Sequence, residues 1–138
     1  LKKSSPLGEI MAVAIENKNA SLAVIKDSIE EAGSLASFRL EKYLGFLSTI
    51  STVAPLLGLF GTIIGMVELF SSFTSTGHDV SIFARGISIA LYNTAGGIVV
   101  AVPAMIAFRY FRSKVDYLVN EMEQQALRLV EVIRGERK

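Results

Sequence analysis

Apolar positions fall in two patterns along this chain. In "SLAVIKDSIEEAGSLASFRLEKYL", Leu22, Ile25, Ile29, Ala32, Ala36 and Leu40 recur at helical spacing, with charged residues in the gaps. That spacing gathers them on one stripe of an amphipathic helix. "FRSKVDYLVNEMEQQALRLVEVIRGERK" repeats the pattern with Val115, Leu118, Met122, Ala126, Leu129 and Ile133, and Gly135 with the basic tail suits a helix end. Between these stretches the pattern changes. Residues 43–67 and 86–108 hold no Asp, Glu, Lys or Arg. Each run exceeds the roughly 20 residues that a membrane span needs. Core helices of soluble bundles seldom run so far without a charged face. The spacing predicts an all-α membrane protein, a long helical hairpin whose two transmembrane spans extend into the cytoplasm. Its arms are expected over 21–73 and 82–134, each about 80 Å long at about 1.5 Å per residue. The stripes outside the membrane need partners, most simply each other and neighbouring subunits. Ahead of Ser21, "SSPLGEIMAVAIENKN" predicts one short helix that starts after the Ser-Ser-Pro turn.

Charge placement orients the hairpin. Of fourteen Lys and Arg, only Arg85 lies near the polar connection "SSFTSTGHDVS"; the others precede Tyr43 or follow Phe108. Both ends are then cytoplasmic and the connection faces outward. The expected divisions are a cytoplasmic segment 1–42, a span 43–70, an outer loop 71–84, a span 85–108 and a cytoplasmic helix 109–138. The composition agrees, with 51% apolar residues and a mean hydropathy of +0.46. A net charge of +1 without a basic, aromatic-lined stripe argues against nucleic acid. No cysteine is present, which excludes disulfides and thiolate metal sites. The first thirty residues are charged and do not read as a signal peptide. The sequence opens on Leu1, and so reads as a piece of a longer chain or a processed product.

The spans carry residues that helix interiors ordinarily penalise. "APLLGLFGTIIG" holds three glycines, a proline and a threonine. Small residues let membrane helices approach closely. Gly58, Gly61 and Gly65 share one flank of the first span, and Gly86, Ala90, Gly97 and Ala101 are expected to do the same on the second. Ser48, Ser51, Thr52, Pro55 and Thr62 form a rough polar stripe, and Thr94 lies inside the second span beside Asn93. A single membrane Thr often only bonds the carbonyl one turn back. A run of them suits a surface that meets water, an ion or another subunit. Pro55 and Pro103 each remove a backbone bond and free a carbonyl, which is tolerated where protein or a cavity covers it. Asn93 is costly in lipid and is expected to face protein. Glu68 ends the first uncharged run. An acid within the membrane is a functional candidate by default, and one at the interface is a contact residue. His78, the only histidine, lies in the outer loop. No nucleophile–base pair, phosphate loop or metal-ligand cluster appears, so neither an enzyme nor a cofactor is expected.

"APLLGLFGTIIGMVELF" followed by "GISIALYNTAGGIVVAVPAMIAFRYF" resembles the MotA/TolQ/ExbB family of proton-channel stator subunits, on the ExbB/TolQ side. The match joins LGLFGT in one span to GIxxALxxTAxGxxxAxP in the next and extends over residues 21–134. The resemblance implies a multi-pass protein of the bacterial inner membrane that assembles as an oligomeric ring, a homopentamer around a central pore. It implies a small single-span partner of ExbD or TolR type, whose Asp carries the proton. Energy transduction would serve outer-membrane import or protein transport, envelope maintenance or flagellar rotation. Thr62 and Thr94 match the motif threonines that would line the ion path, and Pro55 and Pro103 match the motif prolines. Two departures stand out. The resemblance implies a further membrane helix ahead of the cytoplasmic segment, and none is present in this sequence. Many ExbB and TolQ proteins carry a Glu where this chain has Ile89, so the ionisable group here is expected from the partner or from Glu68. The transported ion is H⁺ or Na⁺, since hydroxyls and freed carbonyls suit either. A second class stays open, a membrane scaffold that assembles partner proteins and conducts nothing. It would share the glycines and stripes but would not need Thr62 and Thr94 inside the membrane.

Overall fold

The computed structural model describes residues 5–72 and 80–136. All regular structure among them is helical: α1 (Pro6–Glu16), α2 (Leu22–Leu40), α3 (Leu44–Ser72) and α4 (Val80–Ile133). The helices form two compact units. One comprises Leu1–Tyr43 with Phe111–Lys138, the other Leu44–Tyr110.

The first unit packs α1, α2 and the last part of α4. Helix α1 starts where the sequence predicts. Ser5 is extended and its Oγ accepts from the Gly8 N–H at 3.2 Å, with Pro6 following inside the helix. This cap satisfies one of the amides that a helix start leaves without a partner. At the other end, the Asn17 side chain donates to the Val13 carbonyl at 2.9 Å. The core joins Ile10 and Ala14 of α1, Ile25, Ile29 and Ala36 of α2, and Ala126 and Val130 of α4. Ile10, Ile25 and Val130 are its largest fully buried side chains. Each contributes about 1.5–3 kcal/mol by leaving water. Arg39 Nη1 lies 3.0 and 2.8 Å from the two Glu9 carboxylate oxygens and ties α1 to the end of α2. The pair is exposed, so its contribution stays below about 1 kcal/mol.

Two expectations for this region need correction. The first arm is not one helix over 21–73. It is broken at Glu41–Tyr43, where the Lys42 N–H bonds the Arg39 carbonyl three residues back, at 3.4 Å, instead of the fourth. The buried stripe of α4 is also turned from the one expected. Ala126 is buried and Met122 packs against the core as expected, but Val119 and Val130 are buried as well, whereas Leu118 and Ile133 are exposed. Adjacent apolar pairs, Leu118–Val119 and Leu129–Val130, allow two overlapping stripes about 100° apart, and docking against α1 and α2 selects one. On α2 the stripe is as expected at Ile25, Ile29 and Ala36, with Leu22 and Leu40 left exposed.

The second unit is an antiparallel hairpin of α3 against the first part of α4. Both helices are long and apolar enough to cross a membrane. Helix α4 continues without interruption to Ile133, as the second arm is expected to do.

Candidate functional site: a hydroxyl pair between two apolar helices

Glycines set how closely α3 and α4 approach. A methyl group added at Gly58 would lie 2.7 Å from the Asn93 carbonyl oxygen, and one at Gly97 would lie 2.5 Å from the Ala54 carbonyl oxygen. Backbone therefore touches backbone at this crossing. Further out, a methyl group on Gly65 would meet Ala90 at 3.4 Å, and one on Gly86 would meet Leu69 at 2.6 Å. The pairs 58/97, 65/90 and 69/86 step in equal and opposite increments, which marks a constant antiparallel register. Ala90 and Ala101 are buried as expected. Phe70 and Phe83 pack edge to face at a centroid distance of 6.1 Å near the end of α3 and the start of α4.

That register brings the two threonines together. Thr62 Oγ1 lies 2.5 Å from Thr94 Oγ1, 2.7 Å from the Ala90 carbonyl oxygen and 3.2 Å from the Gly58 carbonyl oxygen. Thr62 has one proton to donate, and either hydroxyl can be the donor between the pair. In one arrangement Thr62 donates to Ala90 and Thr94 donates to Thr62. The Thr94 oxygen then keeps lone pairs able to accept. In the other, Thr62 donates to Thr94, whose own proton is released to point elsewhere. Both residues are half-buried. They lie about 8–12 Å along the helices from Val67 and Gly86, where the apolar runs end and begin.

The other predicted residues take varied places. Gly61 lies against the Asn93 side chain, since a methyl group there would be 3.2 Å from its Cβ and Nδ2, but Asn93 is otherwise exposed on the chain. The polar stripe of α3 divides. Ser51 is buried and its Oγ donates to the Ser48 carbonyl at 2.7 Å, while Thr52 is exposed and donates to the same carbonyl at 3.0 Å. Pro55 and Pro103 lie inside α3 and α4, leaving the Ser51 and Val99 carbonyls without their usual donors. Glu68 and Ile89 border a groove between the end of α3 and the start of α4, both exposed. His78 lies outside the described residues. Sequence reasoning did not find the Ala54 and Ala90 carbonyls. Backbone acceptors carry no residue signature, and only the helix register reveals them. Among the described residues, no three His, Cys, Asp or Glu gather as a metal site would require.

A hairpin of two apolar helices, each long enough to cross a membrane, glycine-packed and with half-buried hydroxyls between them, is the arrangement of a polytopic membrane protein. The family model described as "MotA/TolQ/ExbB proton channel family" matches residues 2–124, and the chain belongs to this family. It is 34% identical to a biopolymer transport protein ExbB of Pseudomonas putida, over 94% of this chain and 48% of that protein. It is 34% identical to the Tol-Pal system protein TolQ of Haemophilus influenzae, over 78% of this chain and 47% of that protein. A putative ExbB homolog of Methanothermobacter thermautotrophicus is 29% identical over 86% of this chain and 42% of its own length. The chain thus spans about half the length of the curated relatives it matches. The family model's description names proton channels and no enzymatic activity.

Proposed function

We propose that this chain is a subunit of an ion-driven, proton-powered stator of the inner membrane, of the ExbB/TolQ kind, which converts ion flow into work on the cell envelope. Several copies, five by resemblance, surround a pore that receives the membrane helices of a small ExbD- or TolR-like partner. The observation that carries the reading is the Thr62–Thr94 pair. Its two hydrogen-bond arrangements suit a carboxyl group that changes protonation state. When the partner's acid is protonated, the Thr94 oxygen accepts its proton. When it is ionised, the chain of hydroxyls reverses and Thr94 donates. An unpaired carboxylate in a dry pore is very costly, so a contact that serves both states lowers the barrier to passage. The chain itself has an apolar residue at Ile89, which leaves the titrating group to the partner.

A non-conducting scaffold has one observation in its favour. The two hydroxyls bond each other, so packing alone also uses them. Proton flux separates the two readings. The full-length protein is reconstituted with its partner in vesicles carrying an imposed proton gradient. Thr94→Val keeps the side-chain volume and removes the hydroxyl, and is expected to cut flux at least about ten-fold, the lower end of what positioned proton-handling groups contribute. Thr94→Ser is expected to restore most of it. Equal flux in all three, with assembly intact, would end the proposed role. Repeating the measurement with sodium varied at a fixed proton gradient assigns the ion.

A further inference from the structure

We propose that a cation leaving the Thr62–Thr94 pair reaches the cytoplasm along the Ser48–Pro55 face of α3, where the Ser51 carbonyl and the Thr52 hydroxyl form a station that only accepts hydrogen bonds. The cation is a hydrated proton or Na⁺, and both seek oxygen lone pairs. The inference rests on the stator reading and supplies the inner half of its ion path. Ser48, Pro55 and Thr62 stand seven residues apart in α3, so they share one face of that helix. Thr52 borders the face, one turn on from Ser48. The basic residues ahead of Tyr43 put the Leu44 end of α3 on the cytoplasmic side. Thr52 lies about 15 Å from Thr62 along the helix and about 12 Å from Leu44.

The Ser51 carbonyl has no helical donor, because Pro55 lacks an N–H. Membrane helices commonly answer such a carbonyl with a nearby hydroxyl or with water. Here the nearby hydroxyls are committed elsewhere. Ser51 Oγ and Thr52 Oγ1 both donate to the Ser48 carbonyl, at 2.7 and 3.0 Å. Residues 53–57 are Val, Ala, Pro, Leu and Leu, which carry no side-chain donor. The register that sets Gly58 against Gly97 brings Pro103 and Ala104 level with Thr52 and Ser51, and their side chains bring no donor either. Among the described residues, no side chain donates to the Ser51 carbonyl. A bare carbonyl thus stands beside a hydroxyl whose proton is already used. Both offer lone pairs and neither offers a proton. An anion finds nothing to bind there, whereas a cation or the water around it finds acceptors. A carbonyl left bare in hydrocarbon is costly, so water or an ion has to cover it. Thr52 is exposed, which leaves the station open to what lies beside the hairpin.

The chain has no cysteine, so single cysteines can be introduced without background. The full-length protein carrying Thr52→Cys or Val53→Cys is assembled with its ExbD- or TolR-like partner in inverted membrane vesicles. It is then treated with small methanethiosulfonate reagents of opposite charge. Val53 is the adjacent residue, also exposed but without a hydroxyl. A thiol reacts as its thiolate, which forms where water reaches. With the cationic reagent, Thr52→Cys is expected to react at least about ten-fold faster than Val53→Cys, the scale of one hydrogen bond to a charged group. The anionic reagent should show no such difference. Adding Pro55→Ala returns a donor to the Ser51 carbonyl and should slow the cationic reaction. In flux measurements Thr52→Val should lower ion flow and Thr52→Ser should restore it. Equal rates at the two positions, or with the two reagents, overturn the station. Flux that survives Thr52→Val but falls with Thr94→Val overturns this inner path and leaves the stator reading standing. Flux that survives both variants removes the stator reading, and the path with it. Flux that follows a sodium gradient at fixed pH names Na⁺ as the cation, and flux that does not names the proton.

Discussion

At the residue scale, the position of a glycine decides whether a methyl group is tolerated. Gly96 and Gly97 are neighbours in sequence, yet a methyl group at Gly96 meets nothing within 4 Å while one at Gly97 meets the Ala54 carbonyl oxygen at 2.5 Å. A side-chain end could rotate away from such a contact, but backbone cannot. Gly97→Ala is therefore expected to destabilise the hairpin by about 1–3 kcal/mol through overpacking. Gly96→Ala is expected to be neutral or to stabilise slightly, because Ala is the better helix former by about 1 kcal/mol. Thermal unfolding in detergent of the two variants beside the parent protein checks this. Equal melting temperatures would mean that the helices separate more easily than this contact implies. The consequence reaches the hydroxyl pair, because Thr62 and Thr94 meet only while Gly58 and Gly97 hold the backbones together. Gly97→Ala should thus impair ion flux without touching either threonine.

At the scale of elements, the contact of α2 with the last part of α4 carries its own titration. The Glu123 side chain covers Gly33, where a methyl group would overlap its carboxylate oxygen. It borders a cavity of about 240 Å³ shared with Lys26, Glu30, Asn120 and Gln124. Burial, and then the negative charge of Glu30, hold its carboxyl above the usual carboxylate range. A carboxyl with a raised folded-state pKa favours the fold while protonated. That contribution is fully present below the ordinary carboxylate pKa and is lost as pH rises through the raised value. Glu123→Gln should accordingly raise the melting temperature at neutral pH and flatten its dependence on pH between the acidic and neutral ranges. A lower melting temperature at neutral pH would show that the carboxylate is held by a favourable contact. The elements differ in how far they could be read from sequence. The short first helix, the two uncharged runs and the α2 stripe were legible because capping residues, charge absence and spacing are local signals. The break at Glu41–Tyr43 carries no Gly or Pro. The rotated stripe of α4 depends on which of two adjacent apolar residues meets α1 and α2. Thr62 and Thr94 were visible as polar residues in apolar runs. Their meeting was not, since it follows from a register fixed between two helices.

At the scale of the whole molecule, apolar surface outside the membrane hairpin argues for assembly. In the three-helix unit, Leu35 is 59% exposed, Phe38 77% and Tyr43 71%. Lipid can cover the outward residues of α3 and of the first part of α4, but it does not reach residues that lie beyond the spans. Scattered apolar side chains are ordinary on a soluble surface, whereas large ones repeated along one helix indicate a contact. Leu35 and Phe38 are three apart on α2, so they stand on neighbouring parts of one face. If the proposed ring forms, that face is covered by an adjacent copy, and replacing it with charge should act on subunit number without disturbing the buried core at Ile25 and Ile29. Native mass spectrometry of the full-length protein, alone and co-expressed with a single-span partner, is expected to give five copies that gain two partner chains. Phe38→Glu should shift the distribution toward smaller species, with helical content retained by circular dichroism. A stable monomer or dimer that ignores the partner would leave no shared pore for Thr62 and Thr94. The scaffold reading would then account better for the glycine-packed hairpin, with its hydroxyls serving only to join one helix to the other.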